Sequence, residues 1–243
     1  MHREQLHSPH TAIQYYEQSL ALARQLKNRN HEAVAYHKLG CTHNKLAKYE
    51  AALEWHQKDL KMSQDHGNKT EQILVHAHVG HTYSLLGKLD QATSHFNTAL
   101  QMAQQTGYRY GQMRVDLFMG DMHREQLHSP REAIQCYEQY LALARQMMNR
   151  HQEGRAYKKL GKAHYEKGEY KEGLEWFQKY LKIRQECGDK TEQITAPKHI
   201  AVSYKALGQL DLARSHCQTA MDIAMETGNK QAQAYIAEVV DGL

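Results

Sequence analysis

Eighteen histidines in 243 residues make metal ligation the first chemistry to weigh. His76, His78 and His81 form the tightest group, and imidazole nitrogens are ordinary zinc ligands. Their spacings of two, three and five do not bring all three to one helix face, and no zinc pattern accompanies them. His2, His7 and His10 straddle a helix–turn boundary. The histidines are therefore assigned to surface and groove positions, and neither a metal nor a cofactor is expected. Cys41, Cys136, Cys187 and Cys217 lack CxxC spacing and any even framework, which suits free thiols in a reducing compartment. No nucleophile elbow, phosphate loop, HExxH or paired-carboxylate constellation is present, so no enzyme activity is expected.

Bulk properties exclude further classes. The net charge of +4 is mild and no block of consecutive Lys/Arg stands out, which argues against a dedicated nucleic-acid or membrane partner. The first residues, Met1-His2-Arg3-Glu4-Gln5, are charged and do not read as a signal peptide. No apolar run approaches the roughly 20 residues of a membrane span. A cytoplasmic protein is expected. An apolar content of 41% with only three prolines fits a folded, mainly helical chain.

The elements that position these residues are repeats. Met1 to Pro9 recurs letter for letter as Met122 to Pro130, an offset of 121. The same offset carries Leu39-Gly40 onto Leu160-Gly161, Glu54-Trp55 onto Glu175-Trp176, and Lys69–Ile73 onto Lys190–Ile194. Inside each copy runs a shorter period. Gly40, Gly80, Gly120 and Gly161 are 40, 40 and 41 apart, and Ala201 continues the series. A second series of small residues runs Ala12, Ala52, Ala92, Ala133, Gly173, Ala213. Four residues after each stand Tyr16, His56, Phe96, Tyr137, Phe177 and Cys217, on the same helical face.

Each period thus predicts a helix A with the Leu-Gly pair, a short turn, a helix B and a loop. The small residue on helix A lets helix B cross closely. Gly87, Gly168 and Gly208 mark the A-to-B turns, and Gly67, Gly107, Gly188 and Gly228 read as C-cap residues after helix B. Ser129-Pro130-Arg131-Glu132 reads as an N-cap serine, a first-position proline and a capping-box glutamate. Pro197 falls inside the fifth helix A and should kink it or delay its start. Period-2 alternation is absent, so no strand is expected.

Val79-Gly80, Tyr83, Ala92, Phe96 and Ala99 occupy positions 7, 8, 11, 20, 24 and 27 of one repeat, and this pattern resembles the tetratricopeptide signature. The 40-residue period, with loops such as Gly188-Asp189-Lys190, is similar to the longer subclass that includes Partner of Inscuteable and kinesin light chains. The resemblance implies an all-α, right-handed α-solenoid of tandem antiparallel helix pairs over residues 1–243, as two three-repeat copies, 1–121 and 122–242. It also implies a protein-binding scaffold. The asparagine ladder of Partner-of-Inscuteable-type repeats is missing, because this chain has Lys38-Leu-Gly-Cys41 and Lys159-Leu-Gly-Lys162 at those sites. The lysine-plus-asparagine carboxylate clamp of chaperone-binding members is not matched either.

In such arrays helix A lines a concave groove through positions 2, 5, 9 and 12. The first two repeats supply Val34, His37, Cys41, Asn44, Leu74, Ala77, His81 and Ser84, a neutral, His-rich floor. The next supplies Arg114, Leu117, Asp121 and Arg124, followed by Arg155, Lys158, Lys162 and Tyr165, then Thr195, Lys198, Val202 and Lys205. This half is basic. The groove is expected to receive an extended or helical acidic segment of a protein partner through charge-assisted hydrogen bonds. Trp55 and Trp176 are expected to pad repeat contacts. The chain begins and ends part-way through a helix A, which suggests head-to-tail self-association as the alternative, or excision from a larger regulatory protein.

Overall fold

The computed structural model describes residues 9–188 and 190–241, all of them helical or in short turns. Twelve helices are present among the described residues. They are α1 (Pro9–Gln25), α2 (Arg29–Lys45), α3 (Tyr49–Asp65), α4 (Lys69–Leu85), α5 (Leu89–Thr106) and α6 (Arg109–Glu125). There follow α7 (Pro130–Gln146), α8 (Arg150–Glu166), α9 (Tyr170–Glu186), α10 (Lys190–Ala206), α11 (Leu210–Glu226) and α12 (Lys230–Asp241). The expected N-terminal half-helix would occupy residues outside those described. The chain divides into two compact units, Met1–Leu127 and His128–Leu243. In each, every helix packs on its neighbours in sequence, as an all-α helical-repeat solenoid requires. The even-numbered helices are helix A and the odd-numbered ones helix B.

Size complementarity sets the A–B crossings. A methyl group added at Gly40 would lie 2.4 Å from the His56 ring, at Gly80 2.8 Å from Phe96, and at Gly161 2.6 Å from Phe177. Only glycine allows that approach. In the fifth repeat Ala201 takes the glycine position and packs in one core cluster with Cys217, a smaller residue than phenylalanine. The irregular repeat therefore exchanges volume across the contact.

The loops repeat a two-part device. A residue in the left-handed region ends helix B, and an asparagine then caps the next helix A. Asn28, Asn68, Asn149 and Asn229 each accept a hydrogen bond from the backbone N–H three residues on. Ser129 departs from expectation. It stands at the N-cap of α7 with Pro130 behind it, yet its side chain makes no capping hydrogen bond. Pro197 does not delay α10, which starts at Lys190, the equivalent of Lys69 in α4. α10 is anchored by packing on both α9 and α11, which offsets one lost backbone hydrogen bond.

The left-handed positions are mostly glycine, but Lys27, Ala47, His128 and Met148 also adopt φ near +50°. A Cβ there costs roughly 1–2 kcal/mol. Nothing lies within 4 Å of the equivalent Cβ position at Gly67 or Gly87, so the strain is of the backbone alone. Ala47→Gly and Met148→Gly are each expected to stabilise the protein by about 0.5–1 kcal/mol in urea titrations, after the glycine entropy cost. A decrease in stability would show that these side chains contribute packing.

Candidate functional site

Two polar clusters stand out, one in each unit. In the second, the expected groove residues lie on α8 and α10. Lys158, Lys162 and Lys198 all bear on His199, whose imidazole is pushed down to about 3, first by burial and then by these three cations. The His199 ring also stacks on Phe177 at 4.8 Å. Lys158 is less available than the sequence implies, because its ammonium donates to Glu192 at 2.9 Å and lies over the Tyr180 ring. Lys198 sits 3.2 Å above the Tyr235 ring of α12. Tyr165 rests against Tyr170, Arg155 and Lys162 are half-buried, and Lys205 is exposed. Ile194, Thr195, Lys198, Tyr235 and Ile236 line a cavity of about 310 Å³ beside this stripe.

In the first unit the expected groove residues are engaged with neighbouring side chains. Asn44 donates its amide to Thr82 Oγ1 at 2.9 Å, tying α2 to α4. His81 stacks on Phe118 at 4.3 Å, with the Arg114 guanidinium 4.7 Å from the same ring. Arg124 pairs with Glu125 and is largely covered. The expectation that His76, His78 and His81 do not converge agrees with their contacts. His76 meets His95 on α5, with Nδ1 atoms 2.9 Å apart, His78 turns into the core, and His81 goes to Phe118.

A different set converges instead. His37 and Cys41 on α2, His56 and Asp59 on α3, and His78 on α4 meet around the His37 ring, with His78 at 4.6 Å and His56 at 6.1 Å between centroids. Two groups have ligand atoms all within 4.8 Å of one another: His37, Cys41 and His78, and His37, His56 and Asp59. His56 is fully buried, and neither ring nitrogen has a hydrogen-bond partner. Burial pushes its imidazole down to about 3, with His37 and His81 adding repulsion. Burial opposes protonation of His37 too, but Asp59 and Cys41 outweigh it and hold the imidazolium up to about 9. Asp59 is raised by burial against the pull of His37. Sequence reasoning missed this nest because its members come from three helices. The signal was present: His56 and Asp59 stand where the second repeat has Phe96 and Ala99, two core positions given to polar residues.

The duplicated aromatic contacts are structural. Tyr36 stacks on Trp55 at 5.8 Å and Tyr157 on Trp176 at 5.6 Å, with Lys58 and Lys179 each 4.1 Å from the indole. On the far side of the tyrosine, Arg24 and Glu32 bind the Tyr36 hydroxyl, and Arg145 and Glu153 bind that of Tyr157. These contacts of the two tryptophans join helix A to helix B within one repeat.

The repeat register agrees with comparison to known families. Models of the tetratricopeptide repeat match residues 1–65 and 70–146, and again 154–187. The chain belongs to the tetratricopeptide repeat family. BtubC from P. vanneervenii is similar in fold, with a TM-score of 0.76 at 17% identity over 91% of this chain and 93% of that one. A kinesin light chain from Podosopora anserina with nearly identical TPR-like repeats gives 0.63 at 13% identity, over 81% and 96%. A Rap protein complexed with competence and sporulation factor gives 0.68 at 14% identity, over 100% and 77%. Comparison with curated protein sequences gives no match. No helix among the described residues is long and apolar enough to cross a membrane.

Proposed function

We propose that this tetratricopeptide protein is an interaction scaffold whose second unit takes an acidic segment of a protein partner. The observation that carries this reading is the run of cations on α8 and α10, where Lys162, Lys158 and Lys198 add to burial in keeping His199 neutral. A cationic surface beside an open, partly apolar cavity offers charge-assisted hydrogen bonds and somewhere to place an apolar side chain. The Rap protein of similar fold is known with competence and sporulation factor bound, which supports ligand capture by such an array. Lys158, Lys162 and Lys198, with Arg155 and Lys205 flanking, are the assigned contacts.

The test is fluorescence anisotropy with labelled 12-residue peptides alternating Glu and Leu, against Lys/Leu counterparts. Selective binding of the acidic peptide is expected, weakening with salt. Lys162→Glu combined with Lys198→Glu should reduce its affinity at least tenfold while helicity is kept. Equal binding of both peptide signs, or no response to the double reversal, would sink the reading.

A further inference from the structure

Cys41 Sγ lies 3.7 Å from Nε2 of His37 and 3.8 Å from Nδ1 of His78. A tetrahedral zinc ion with Zn–S of about 2.3 Å and Zn–N of about 2.0–2.1 Å separates sulfur from nitrogen by about 3.5 Å. Both sulfur–nitrogen distances thus stand a few tenths of an ångström from the edges of a zinc tetrahedron, and the two nitrogens lie within 4.8 Å of each other, on two helices that pack together. We propose that His37, Cys41 and His78 bind a zinc-class divalent ion, one per chain, with water in the fourth position.

The surroundings favour the ion. A thiolate with two imidazoles selects zinc or cobalt over magnesium and calcium. Asp59 Oδ2 is 3.7 Å from Nδ1 of His37, the ring nitrogen turned away from Cys41. That places a carboxylate behind a metal-binding histidine, a few tenths of an ångström beyond hydrogen-bond distance, where a small approach on binding would fix the tautomer and strengthen the donor. The Asp59 charge and the Cys41 thiolate together balance the two positive charges of the ion. The shell also explains a costly feature, since both nitrogens of His56 and Oδ1 of Asp59 are buried without a partner. Unpartnered buried polar groups are a penalty in a plain helical core and become a polar wall beside a cation. Binding breaks the S–H bond of Cys41 and the Nε2–H bond of the His37 imidazolium, and releases both protons to solvent. His37 and Cys41 are half-buried, which leaves a route of entry.

One neighbour opposes the ion. Arg114 Nη2 lies 3.4 Å from Nε2 of His78. When Nδ1 of His78 binds metal, Nε2 carries the proton, so two donors would face each other and Arg114 must turn aside. Removing that guanidinium should therefore tighten binding, an effect that no purely structural role for the nest produces.

The test is titration of the reduced, chelator-stripped full chain with Co²⁺, followed by displacement with Zn²⁺. One equivalent is expected, with a thiolate-to-cobalt charge-transfer band in the near ultraviolet and visible bands of a tetrahedral site. Cys41→Ser should abolish the charge-transfer band and weaken zinc at least 100-fold. Asp59→Asn should weaken it about 10–100-fold, Arg114→Met should strengthen it severalfold, and Cys217→Ser should leave the band intact. No cobalt band at millimolar metal, or a band that survives Cys41→Ser, overturns the site. So does cobalt uptake that lacks charge transfer and is lost in His56→Gln, because the ion would then sit with His37, His56 and Asp59. Circular dichroism in chelator checks the fold of each variant. Should Cys41→Ser fail to fold, zinc X-ray absorption of the wild type decides: one sulfur neighbour supports the site and none overturns it.

Discussion

Gly161→Ala should destabilise the protein by about 1–3 kcal/mol, and Phe177→Ala by about 3–5 kcal/mol. Both act on one contact. Phe177 is only 2% exposed, and its ring lies where a Cβ on residue 161 would sit, 2.6 Å away. The added methyl must push the ring off its site, while truncating the ring opens a cavity between α8, α9 and the His199 face of α10. A glycine in mid-helix normally costs about 1 kcal/mol relative to alanine, so Gly161 persists against local propensity because of the ring above it.

The chain contains its own control for this argument. The Ala201–Cys217 pair of the fifth repeat shows the same crossing with the volume moved to the other partner. In a Phe177→Cys background Gly161→Ala is therefore expected to become neutral or to stabilise by up to about 1 kcal/mol, as helix propensity takes over. The coupling read from the double-mutant cycle should be on the order of 1–3 kcal/mol. Urea titration followed by circular dichroism measures all four proteins. An equal cost of Gly161→Ala in both backgrounds would show that the ring is not what excludes the methyl.

The same contact explains why the architecture was legible. Glycine or alanine at intervals of 40, with a larger residue 16 positions later, encodes a helix crossing that little else satisfies, and the structure places Gly40, Gly80 and Gly161 at such crossings. The positive-φ glycines were equally readable, since Gly67, Gly107, Gly188 and Gly228 all adopt φ near +65°. Ser129 and Pro130 take the N-cap and first helical positions their types predict, but the capping hydrogen bond depends on the local turn, which residue type does not fix. Of the two effects expected of Pro197, a kink or a delayed start, the delayed start does not occur, because neighbouring helices hold α10 in place. The site was harder. Helical periodicity relates residues within one helix, so it found the stripe of Arg155, Lys158 and Lys162 but not the Lys158–Glu192 pair, which joins α8 to α10. The nest of His37, Cys41, His56, Asp59 and His78 draws on three helices and lies beyond any single-helix pattern. It was foreshadowed only by polar residues in core positions.

Acid should destabilise this protein from a higher pH than carboxylate titration alone would produce. His199 and His76 are held neutral in the fold, with pKa values pushed down to about 3 and about 4. For His199 the cause is burial, then Lys162, Lys158 and Lys198; for His76 it is burial, then His95. In the unfolded chain both titrate near 6.5. Below that pH the unfolded state binds protons that the native state refuses, so the stability is fully present above about 6.5 and falls as pH drops toward 3–4. At pH 5 the loss for a group with these two values is about 2 kcal/mol for His199, and less for His76, which is only half-buried. His199→Phe tests the assignment without opening a cavity, because Phe118 occupies the equivalent helix position two repeats earlier. Urea midpoints at pH 7.5 and 5.0, in chelator so that no metal contributes, should fall steeply for the wild type. The variant should retain about 2 kcal/mol more of its stability across that interval. Identical pH dependence in the two proteins would mean that His199 is protonated in the native fold, and that Lys158, Lys162 and Lys198 do not form a cationic field strong enough to exclude the charge.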